Sequence, residues 1–348
     1  MPEQCAVILA AGEGKRMKSD APKVLSPVLF KPMLSWVIDS VKKAEINKVC
    51  VVAGFRHELV ESHLKQTSPS CQTTLQLERK GTGHAVQMAS SFLKNSLRDD
   101  VLILNGDAPF IDSQTIKDAY RLHKEKKNAA TVISASLDNP FGYGRVVRDE
   151  RNGNVQAIIE QKDANSDIQQ IKEVNSGAYW FRVSSLLSVL ENLSNDNAQG
   201  EYYLPDTLKL LLRKGERIGA YLAPSADLVL GANDCLQLHQ LECIARRKIL
   251  TSLMKSGVRI PASDGVLIGP DVTVQPGACI LPGTIISGRT TIGAGSVIGP
   301  NSQVIDSAIG KRTVLNAVYC KNSFIQDEQT VGPFVSIFNN NDTFANQF

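Results

Sequence analysis

The residues Leu9–Lys23, LAAGEGKRMKSDAPK, follow directly on a short apolar run. A buried strand that ends in this loop places Gly12 and Gly14 where the backbone turns tightly and approaches a ligand. Arg16 and Lys23 bring two cations to the same region. Backbone donors beside two cations suit the phosphates of a nucleotide, because charge-assisted hydrogen bonds to phosphate are strong. The stretch therefore predicts an α/β fold with a nucleotide site after its first strand.

The glycine loop taken alone is a weak signal. It lacks the third glycine of a dinucleotide fingerprint and the Gly-Lys-Ser/Thr ending of a P-loop. A tight turn with two solvated cations explains A-G-x-G equally well. The loop residues by themselves leave both interpretations open.

Composition limits the class of protein. The chain has 348 residues, of which 43% are hydrophobic and 21% charged, so two globular domains are expected. A net charge of +3 does not indicate a nucleic-acid partner. The seven cysteines are scattered without a C-x-x-C pair, which favours reduced thiols over zinc or disulfides. The N-terminus lacks the basic region of a signal peptide and no apolar run reaches about 20 residues, so we expect a cytoplasmic protein with no membrane partner.

Up to about residue 230, strand-like runs alternate with helical stretches, as a mainly parallel sheet requires. The apolar spacing predicts helices over 33–44, 57–65 and 85–93. Strands are predicted over 6–9, 48–53, 73–77, 101–104 and 129–135, and two strands nearer an edge over 155–160 and 177–181.

A long amphipathic stretch over 234–256 predicts a helix that links two domains. Its apolar face consists of leucines and isoleucines from Leu236 to Leu253, and its basic triplet, residues 246–248, is expected on the solvated face.

Beyond this helix the apolar period changes to six. Small or turn residues stand between the aliphatic ones, which is typical of a parallel β-helix, in which each hexapeptide forms one face of a triangular coil. The aliphatic positions are Ile268, Val274, Ile280, Ile286, Ile292, Ile298 and Val304, continued less strictly by Ile309, Leu315, Ile325, Val331 and Ile337.

Asp107 follows an apolar strand in the sequence Asn105-Gly106-Asp107, at the carboxyl edge where open α/β sheets bind ligands. A carboxylate there can hold a magnesium ion, which prefers oxygen ligands and substrate phosphates. It can equally cap the next turn. Position alone leaves the two roles open.

The string L-A-A-G-x-G-x-R-M, with P-K six residues beyond Arg16, resembles the signature of sugar-1-phosphate nucleotidyltransferases. N-G-D-A-P resembles the metal-binding segment of that family. Further matches to the N-acetylglucosamine-1-phosphate uridylyltransferase branch lie in E-R-K-G-T-G-H-A, G-Y-G-R, I-E-Q-K-D, V-N-S-G, G-E-Y-Y and G-A-N. His84 of the first of these is interpreted as a structural residue at a helix start.

This resemblance implies a role for each matched residue. Arg16 and Lys23 are implied as catalytic cations and Asp107 with Asn233 as ligands of Mg²⁺. Nucleotide contacts are implied for Leu9, Ala10, Ala11, Gly12, Gly14, Lys23, Gln76, Gly81, Thr82, Gly106 and Asp107, and contacts with the N-acetylglucosamine moiety for Gly144, Glu160 and Asn175.

The resemblance also implies the architecture. We expect a Rossmann-like mixed-sheet nucleotidyltransferase domain over 1–232, a linker helix over 233–257, a short left-handed β-helix over 258–338 and a polar tail over 339–348. Coils of this kind commonly form trimers, so a homotrimer is implied. The segment 331–338 lacks the arginines of the family's acetyltransferase half, so we expect either a monofunctional enzyme with a shortened coil or a truncated chain.

The implied reaction joins UTP and N-acetylglucosamine 1-phosphate into UDP-N-acetylglucosamine and diphosphate. Three alternatives remain open at this stage. The first is the same chemistry with another sugar phosphate or nucleotide, such as glucose 1-phosphate with UTP or dTTP. The second is a non-catalytic subunit that binds nucleotide sugars, and the third is an acetyltransferase, which the absence of histidine after His239 disfavours.

Overall fold

The structure is a computed structural model that describes residues 4–97, 99–149, 151, 153–197 and 199–339, with only the backbone of Lys15. The chain divides into two compact units. One consists of Met1–Ser26 with Pro32–Gln237, and the other of Pro27–Lys31 with Leu238–Phe348. Except for Asn339, the predicted polar tail lies outside the described residues.

Most strands up to residue 222 are followed by a helix, as predicted, but two groups of strands follow one another directly. These strands are β1 (Gln4–Ala10), β2 (Pro27–Val28), β3 (Lys31–Pro32), β4 (Lys48–Ala53), β5 (Gln72–Leu75), β6 (Asp100–Asn105), β7 (Ala130–Ser136), β8 (Arg145–Arg148), β9 (Val155–Ile159), β10 (Glu173–Arg182) and β11 (Ile218–Leu222).

The helices of this part of the chain lie on both faces of the sheet. They are α1 (Met33–Lys43), α2 (His57–Thr67), α3 (Thr82–Met88), α4 (Ser90–Lys94), α5 (Ser113–Glu125), α6 (Ser166–Gln169), α7 (Val183–Leu190) and α8 (Asp206–Arg213).

The main sheet has the strand order β11-β7-β10-β6-β1-β4-β5, with β8 joined to β10 and β9 to β8. β1 pairs in parallel with both β4 and β6. Successive side chains of a strand point to opposite faces. Ala6 and Ile8 therefore enter the core on one face, while Cys5 and Val7 enter the core on the other. Helices on both faces make this the predicted Rossmann-like mixed sheet.

The predicted edge position of the strand over 177–181 is wrong. β10 lies inside the sheet, antiparallel to both β6 and β7. Its residues Ala178, Tyr179, Trp180 and Phe181 are all buried. A run that is buried on both faces belongs to an interior strand. β8, which begins at Arg145, was not predicted as a strand.

The helix predicted over 85–93 is instead two short helices, α3 and α4, separated at Ala89. The Ser90 hydroxyl donates a hydrogen bond of 2.6 Å to the carbonyl of Gln87. Serine side chains that bond nearby helical carbonyls weaken or bend a helix. The apolar spacing alone does not carry this information.

The second unit contains most of α9 (Cys235–Lys255), the predicted linker helix, and then short strands. The strands are β12 (Leu267–Ile268), β13 (Thr273–Val274), β14 (Cys279–Ile280), β15 (Ile285–Ser287), β16 (Thr291–Ile292), β17 (Val297–Ile298), β18 (Gln303–Ile305), β19 (Ala308–Ile309), β20 (Val314–Leu315), β21 (Val318–Lys321), β22 (Phe324–Ile325), β23 (Thr330–Val331) and β24 (Val335–Phe338).

These strands form three parallel sheets, which are the faces of the predicted left-handed β-helix. In one face Ile268, Ile286 and Val304 are aligned in successive coils, and they are all buried. The next residue in that column is Cys320, which is fully buried and aligned with Val304 and Ile337. The sequence pattern missed Cys320, because the spacing there shortens from six residues to five.

The prediction that Leu236 belongs to the apolar face of α9 is wrong. Leu236 is 68% exposed, whereas Leu241, Ala245 and Leu250 are buried.

None of the helices in the part of the chain that the structure describes has the length and apolar character of a membrane span.

Candidate active site

The glycine loop lies at the carboxyl end of β1, between Ala11 and the short helical turn Lys15–Met17. Gly14 has φ +67°, and a Cβ atom there would lie 2.7 Å from Cβ of Lys23. Only glycine fits this approach, so Gly14 brings Lys23 against the loop. Arg16 is exposed on the turn.

Lys23, Asp107 and Asn233 meet at one point, although they are far apart in the sequence. Nζ of Lys23 lies 2.5 Å from Oδ2 of Asp107 and donates a hydrogen bond of 3.1 Å to Oδ1 of Asn233. The backbone N–H of Gly106 donates to the carbonyl of Leu9 at 2.9 Å, which fixes the turn carrying Asp107 beside β1. β1 and β6 are neighbours in the sheet, so Lys23, which follows β1, and Asp107, which follows β6, meet at its carboxyl edge. Asn233 comes from the segment just before α9.

Two oxygen donors in this group suit a hard cation. The carboxylate of Asp107 and the amide oxygen of Asn233 both face the ammonium group of Lys23, which is itself a cation. Among the described residues, no group of three or more His, Cys, Asp or Glu side chains is arranged to hold a metal. A pair of oxygen ligands fits Mg²⁺, which typically takes its remaining ligands from water and substrate phosphates.

A cavity of about 580 Å³ opens beside Lys23 and Asp107. It includes most of the residues predicted to bind nucleotide. Ala10, Gly14, Gly106 and Arg16 do not line it. Those that do are Leu9, Ala11, Gly12, Lys23, Gln76, Gly81, Thr82 and Asp107.

The side chain of Gln76 is buried at the wall of this cavity. Its Nε2 donates one hydrogen bond of 3.0 Å to the carbonyl of Gly81 and lies 2.9 Å from Nδ1 of His84. Both amide hydrogens are thereby used within the protein. His84, predicted as a structural residue at a helix start, is the third residue of α3.

The turn around Gly81 is joined to the segment around Tyr202. The N–H of Gly83 donates to the carbonyl of Tyr202 at 2.7 Å, and the N–H of Leu204 donates to the Thr82 hydroxyl at 3.1 Å. Gly81 has φ +101°, and a Cβ atom there would lie 2.6 Å from the Tyr202 carbonyl oxygen. The glycines of this turn are therefore needed for the close approach of a second chain segment.

A second cavity, of about 540 Å³, includes Glu160 and Asn175. Gly144 does not line it but lies directly behind it, since a Cβ atom there would be 3.0 Å from Oε1 of Glu160. The N–H of Asn175 donates to the carbonyl of Gly144 at 2.8 Å. The Asn175 amide donates to the Tyr179 hydroxyl at 2.7 Å, which fixes its orientation. The three residues predicted to bind the sugar therefore lie together.

Glu160 has an unusual electrostatic environment. Partial burial raises the pKa of its carboxyl, and the neighbouring carboxylates of Asp163 and Asp206 raise it further. Ionising the carboxyl group of Glu160 therefore costs more free energy than ionising an exposed carboxyl group. Hydrogen-bond donors of a ligand would compensate for this cost.

The two cavities share part of their walls, namely Leu9, Thr82, Asn105 and Glu201. Asn105 and Glu201 were not predicted as site residues, although they lie in the matched segments N-G-D-A-P and G-E-Y-Y. Asn105 is the last residue of β6. Its side-chain amide packs against Gly177 so closely that a Cβ atom at position 177 would overlap with it.

An ion pair between Arg79 and Glu13 was also not predicted. It joins the glycine loop to the Gly81 turn at the first cavity, which both residues line. No sequence signal identifies this pair, since its partners are 66 residues apart.

Comparison with known proteins identifies the family of this chain. The family model described as nucleotidyl transferase matches residues 5–228. The protein described as bifunctional protein GlmU from Clostridium acetobutylicum is 42% identical over 335 residues, which cover 96% of this chain and 72% of that protein. That of Streptococcus gordonii is 41% identical over 332 residues, covering 95% and 71% respectively.

A crystal structure from Bacillus anthracis, assigned as a glucose-1-phosphate thymidylyltransferase, is similar in fold with a TM-score of 0.57. It covers 70% of this chain and 95% of its own, at 21% sequence identity. The resemblance to sugar-1-phosphate nucleotidyltransferases is thus confirmed, and the chain belongs to the nucleotidyl transferase family.

Proposed function

We propose that this protein joins UTP and N-acetylglucosamine 1-phosphate to give UDP-N-acetylglucosamine and diphosphate. The observation that carries the proposal is the meeting of Lys23, Asp107 and Asn233 at the first cavity, which shares part of its wall with the second. One cavity has the predicted nucleotide residues and the other the predicted sugar residues. A reaction that joins two phosphorylated substrates needs this arrangement.

The glycine loop and two cations are assigned to the triphosphate. Backbone N–H groups of a loop after a strand provide donors for phosphate oxygens. Lys23 lines the cavity and Arg16 lies exposed on the following turn. Both offset the negative charge that accumulates on diphosphate as it leaves, and this kind of electrostatic stabilisation is the main contribution to phosphoryl-type transfer.

Gln76 and the Gly81 turn are assigned to the uracil ring. Because Nε2 of Gln76 is used by Gly81 and His84, Oε1 is the atom left to meet a base. The N3–H of uracil is a donor, so it complements this acceptor. The backbone of Gly81 and Thr82 lines the same cavity and adds polar groups at the edge of the base.

The second cavity is assigned to the N-acetylglucosamine moiety. Glu160 accepts hydrogen bonds from sugar hydroxyls, which compensates for its partly buried charge. Asn175 presents its amide group beside it. Sites built to bond a specific substrate group reject analogues that lack this group, because their own polar atoms then stay unpaired.

We propose that Asp107 and Asn233, whose side-chain oxygens both contact the Lys23 ammonium group, would hold Mg²⁺. When bound, the ion would neutralise phosphate charge and act as a Lewis acid. In the reaction a phosphate oxygen of the sugar phosphate attacks the α-phosphorus of UTP. A new P–O bond forms, the bond to the β-phosphate oxygen breaks, and diphosphate leaves without a covalent enzyme intermediate.

Diphosphate release by the purified chain tests the proposal. UTP, dTTP and CTP are each combined with N-acetylglucosamine 1-phosphate and glucose 1-phosphate in the presence of magnesium. We expect the highest kcat/KM for UTP with the acetamido sugar. A preference for glucose 1-phosphate or for dTTP would support the alternative specificity, and absence of release with every pair would support a non-catalytic subunit.

Two further arms complete the test. Lys23→Met should abolish most turnover, whereas Lys172→Met, which removes an exposed lysine paired with Asp138, should leave it unchanged. Thiol release from acetyl-coenzyme A with glucosamine 1-phosphate measures acetyl transfer. We expect none from this chain.

A further inference from the structure

The side chain of His84 does not line the first cavity, but it lies within hydrogen-bond distance of Gln76, which does. His84 is the third residue of α3. The geometry points to a task for it that the proposed reaction does not itself include. We infer that His84 determines which nucleotide base is accepted, by fixing the orientation of the Gln76 side-chain amide. This inference rests on the proposed function, in which Gln76 meets the base.

The orientation of the amide follows from its neighbours. The carbonyl of Gly81 can only accept a hydrogen bond, so the Gln76 atom 3.0 Å from it must be the NH₂ group. The second hydrogen of this NH₂ group then points to Nδ1 of His84, 2.9 Å away. Nδ1 must accept, which assigns the ring hydrogen of neutral His84 to Nε2. The NH₂ group of Gln76 is therefore held by two acceptors, the Gly81 carbonyl and Nδ1 of His84.

The other end of the amide is left for the ligand. Among the side chains that the structure describes, no donor is bonded to Oε1 of Gln76, and Gln76 lines the cavity. An acceptor at this place complements the N3–H of uracil or thymine. Cytosine has an acceptor at N3, so it would face Oε1 with two lone pairs opposed. Rotating the amide by 180° would invert this preference.

His84 is one of the two acceptors that disfavour the rotated orientation of the amide. In the rotated amide, Oε1 would face the two acceptors, the carbonyl of Gly81 and Nδ1 of His84. Without His84 only Gly81 would oppose it. Because a single hydrogen bond typically contributes about tenfold in an equilibrium constant, we expect the selectivity for UTP over CTP to fall by about tenfold.

The test uses two polar variants of His84 that differ in the position of their acceptor. In His84→Asn, Oδ1 takes the place of Nδ1 and can still accept from Gln76. In His84→Gln, the amide extends to the place of Nε2 and leaves the δ position without an acceptor. The apolar variant His84→Leu removes both. For each protein, dissociation constants of UTP and CTP are measured by calorimetry, and kcat/KM is measured by diphosphate release.

We expect His84→Asn to keep the UTP:CTP ratio of the unaltered protein, and His84→Gln and His84→Leu to lose about tenfold of it. A merely structural role would change both nucleotides equally and leave the ratio constant, which would overturn the inference. So would an unaltered protein that binds both nucleotides equally. If His84→Leu fails to fold, the comparison of the Asn and Gln variants decides.

The inference and the proposed function can fail separately. If the unaltered protein prefers UTP in binding but releases no diphosphate, the proposed reaction is wrong, while the change in binding ratio still tests His84. If diphosphate is released and all variants keep the ratio, the reaction stands and the assignment of His84 is wrong.

Discussion

The ammonium group of Lys23 lies 2.5 Å from a carboxylate oxygen of Asp107. Both side chains are mostly shielded from solvent, with 16% and 19% of their surfaces exposed. A second oxygen, Oδ1 of Asn233, lies 3.1 Å from the same nitrogen. If Asp107 and Asn233 hold a metal ion, as proposed, the Lys23 ammonium group would be available to the triphosphate. Lys23 links Asp107 and Asn233, which are far apart in the sequence.

Asp107→Ala should lower kcat by at least about 100-fold, because it removes the proposed metal ligand and the partner of Lys23. Stability should fall by less than the roughly 3 kcal/mol expected when a fully buried ion pair is broken, because Lys23 still donates to Asn233. Initial rates of diphosphate release and the Tm report the two effects. Asp138→Ala, an exposed carboxylate paired with Lys172, is the control.

Magnesium should raise the Tm of the unaltered protein in the presence of UTP, because a ligand that binds the folded state stabilises it. The same shift should be absent in Asp107→Ala and retained in Asp138→Ala. Differential scanning fluorimetry measures it without reference to turnover. An equal shift in all three proteins would contradict the assignment of the metal site.

Gly144→Ala should disturb the sugar cavity selectively. The new Cβ atom would lie 3.0 Å from Oε1 of Glu160 and 3.1 Å from Cγ2 of Ile158, so one of them must move. We expect the KM for N-acetylglucosamine 1-phosphate to rise by about tenfold. The KM for UTP should stay within about twofold, since its cavity does not include Glu160. A rise in both constants would indicate a general loss of structure.

Glu160→Gln should stabilise the protein at neutral pH. Burial first, and then Asp163 and Asp206, raise the pKa of the folded carboxyl above its ordinary value of 4.5. An acid whose folded pKa is raised destabilises the fold above that pKa, and the penalty vanishes below the unfolded pKa, where both states are protonated.

The variant should therefore have a higher Tm than the unaltered protein at about pH 8, and the difference should disappear near pH 4. Glu125→Gln, an exposed residue at the end of α5, is the control. A stabilisation that persists at low pH would mean that the charge of Glu160 is not its cause.

Ile298→Ala should destabilise the β-helix by about 3 kcal/mol, because the fully buried side chain leaves a cavity between the aligned residues Ile280 and Leu315. Val335→Ala, at a half-exposed position, should cost about 0.5 kcal/mol or less. Urea unfolding of both variants measures the difference. Equal midpoints would contradict the stacking of these residues.

Periodicity made the β-helix predictable from the sequence, since the same kind of side chain recurs at the same place in each coil. The pattern did not identify the stacked residue where the repeat is shorter than six residues. Cys320 fills the column between Val304 and Ile337 after a shortened coil. A small buried thiol among polar neighbours carries no aliphatic signal, so packing alone identifies it.

The polar residues of the candidate site were predictable because they follow strands that end at one edge of the sheet. Asp107 after β6 and the glycine loop after β1 are neighbours for this reason. The contacts that orient them were not predictable. The bond from Gln76 to His84 and the pair of Arg79 with Glu13 depend on turn conformations, which no short-range pattern in the sequence specifies.

The wall common to both cavities has a thermodynamic consequence. Leu9, Thr82, Asn105 and Glu201 line both cavities. In the proposed complex, whichever substrate binds first would already have met the entropic cost of ordering these side chains for the other. The two binding free energies would then be coupled, and by reciprocity each substrate would strengthen the affinity for the other by the same factor.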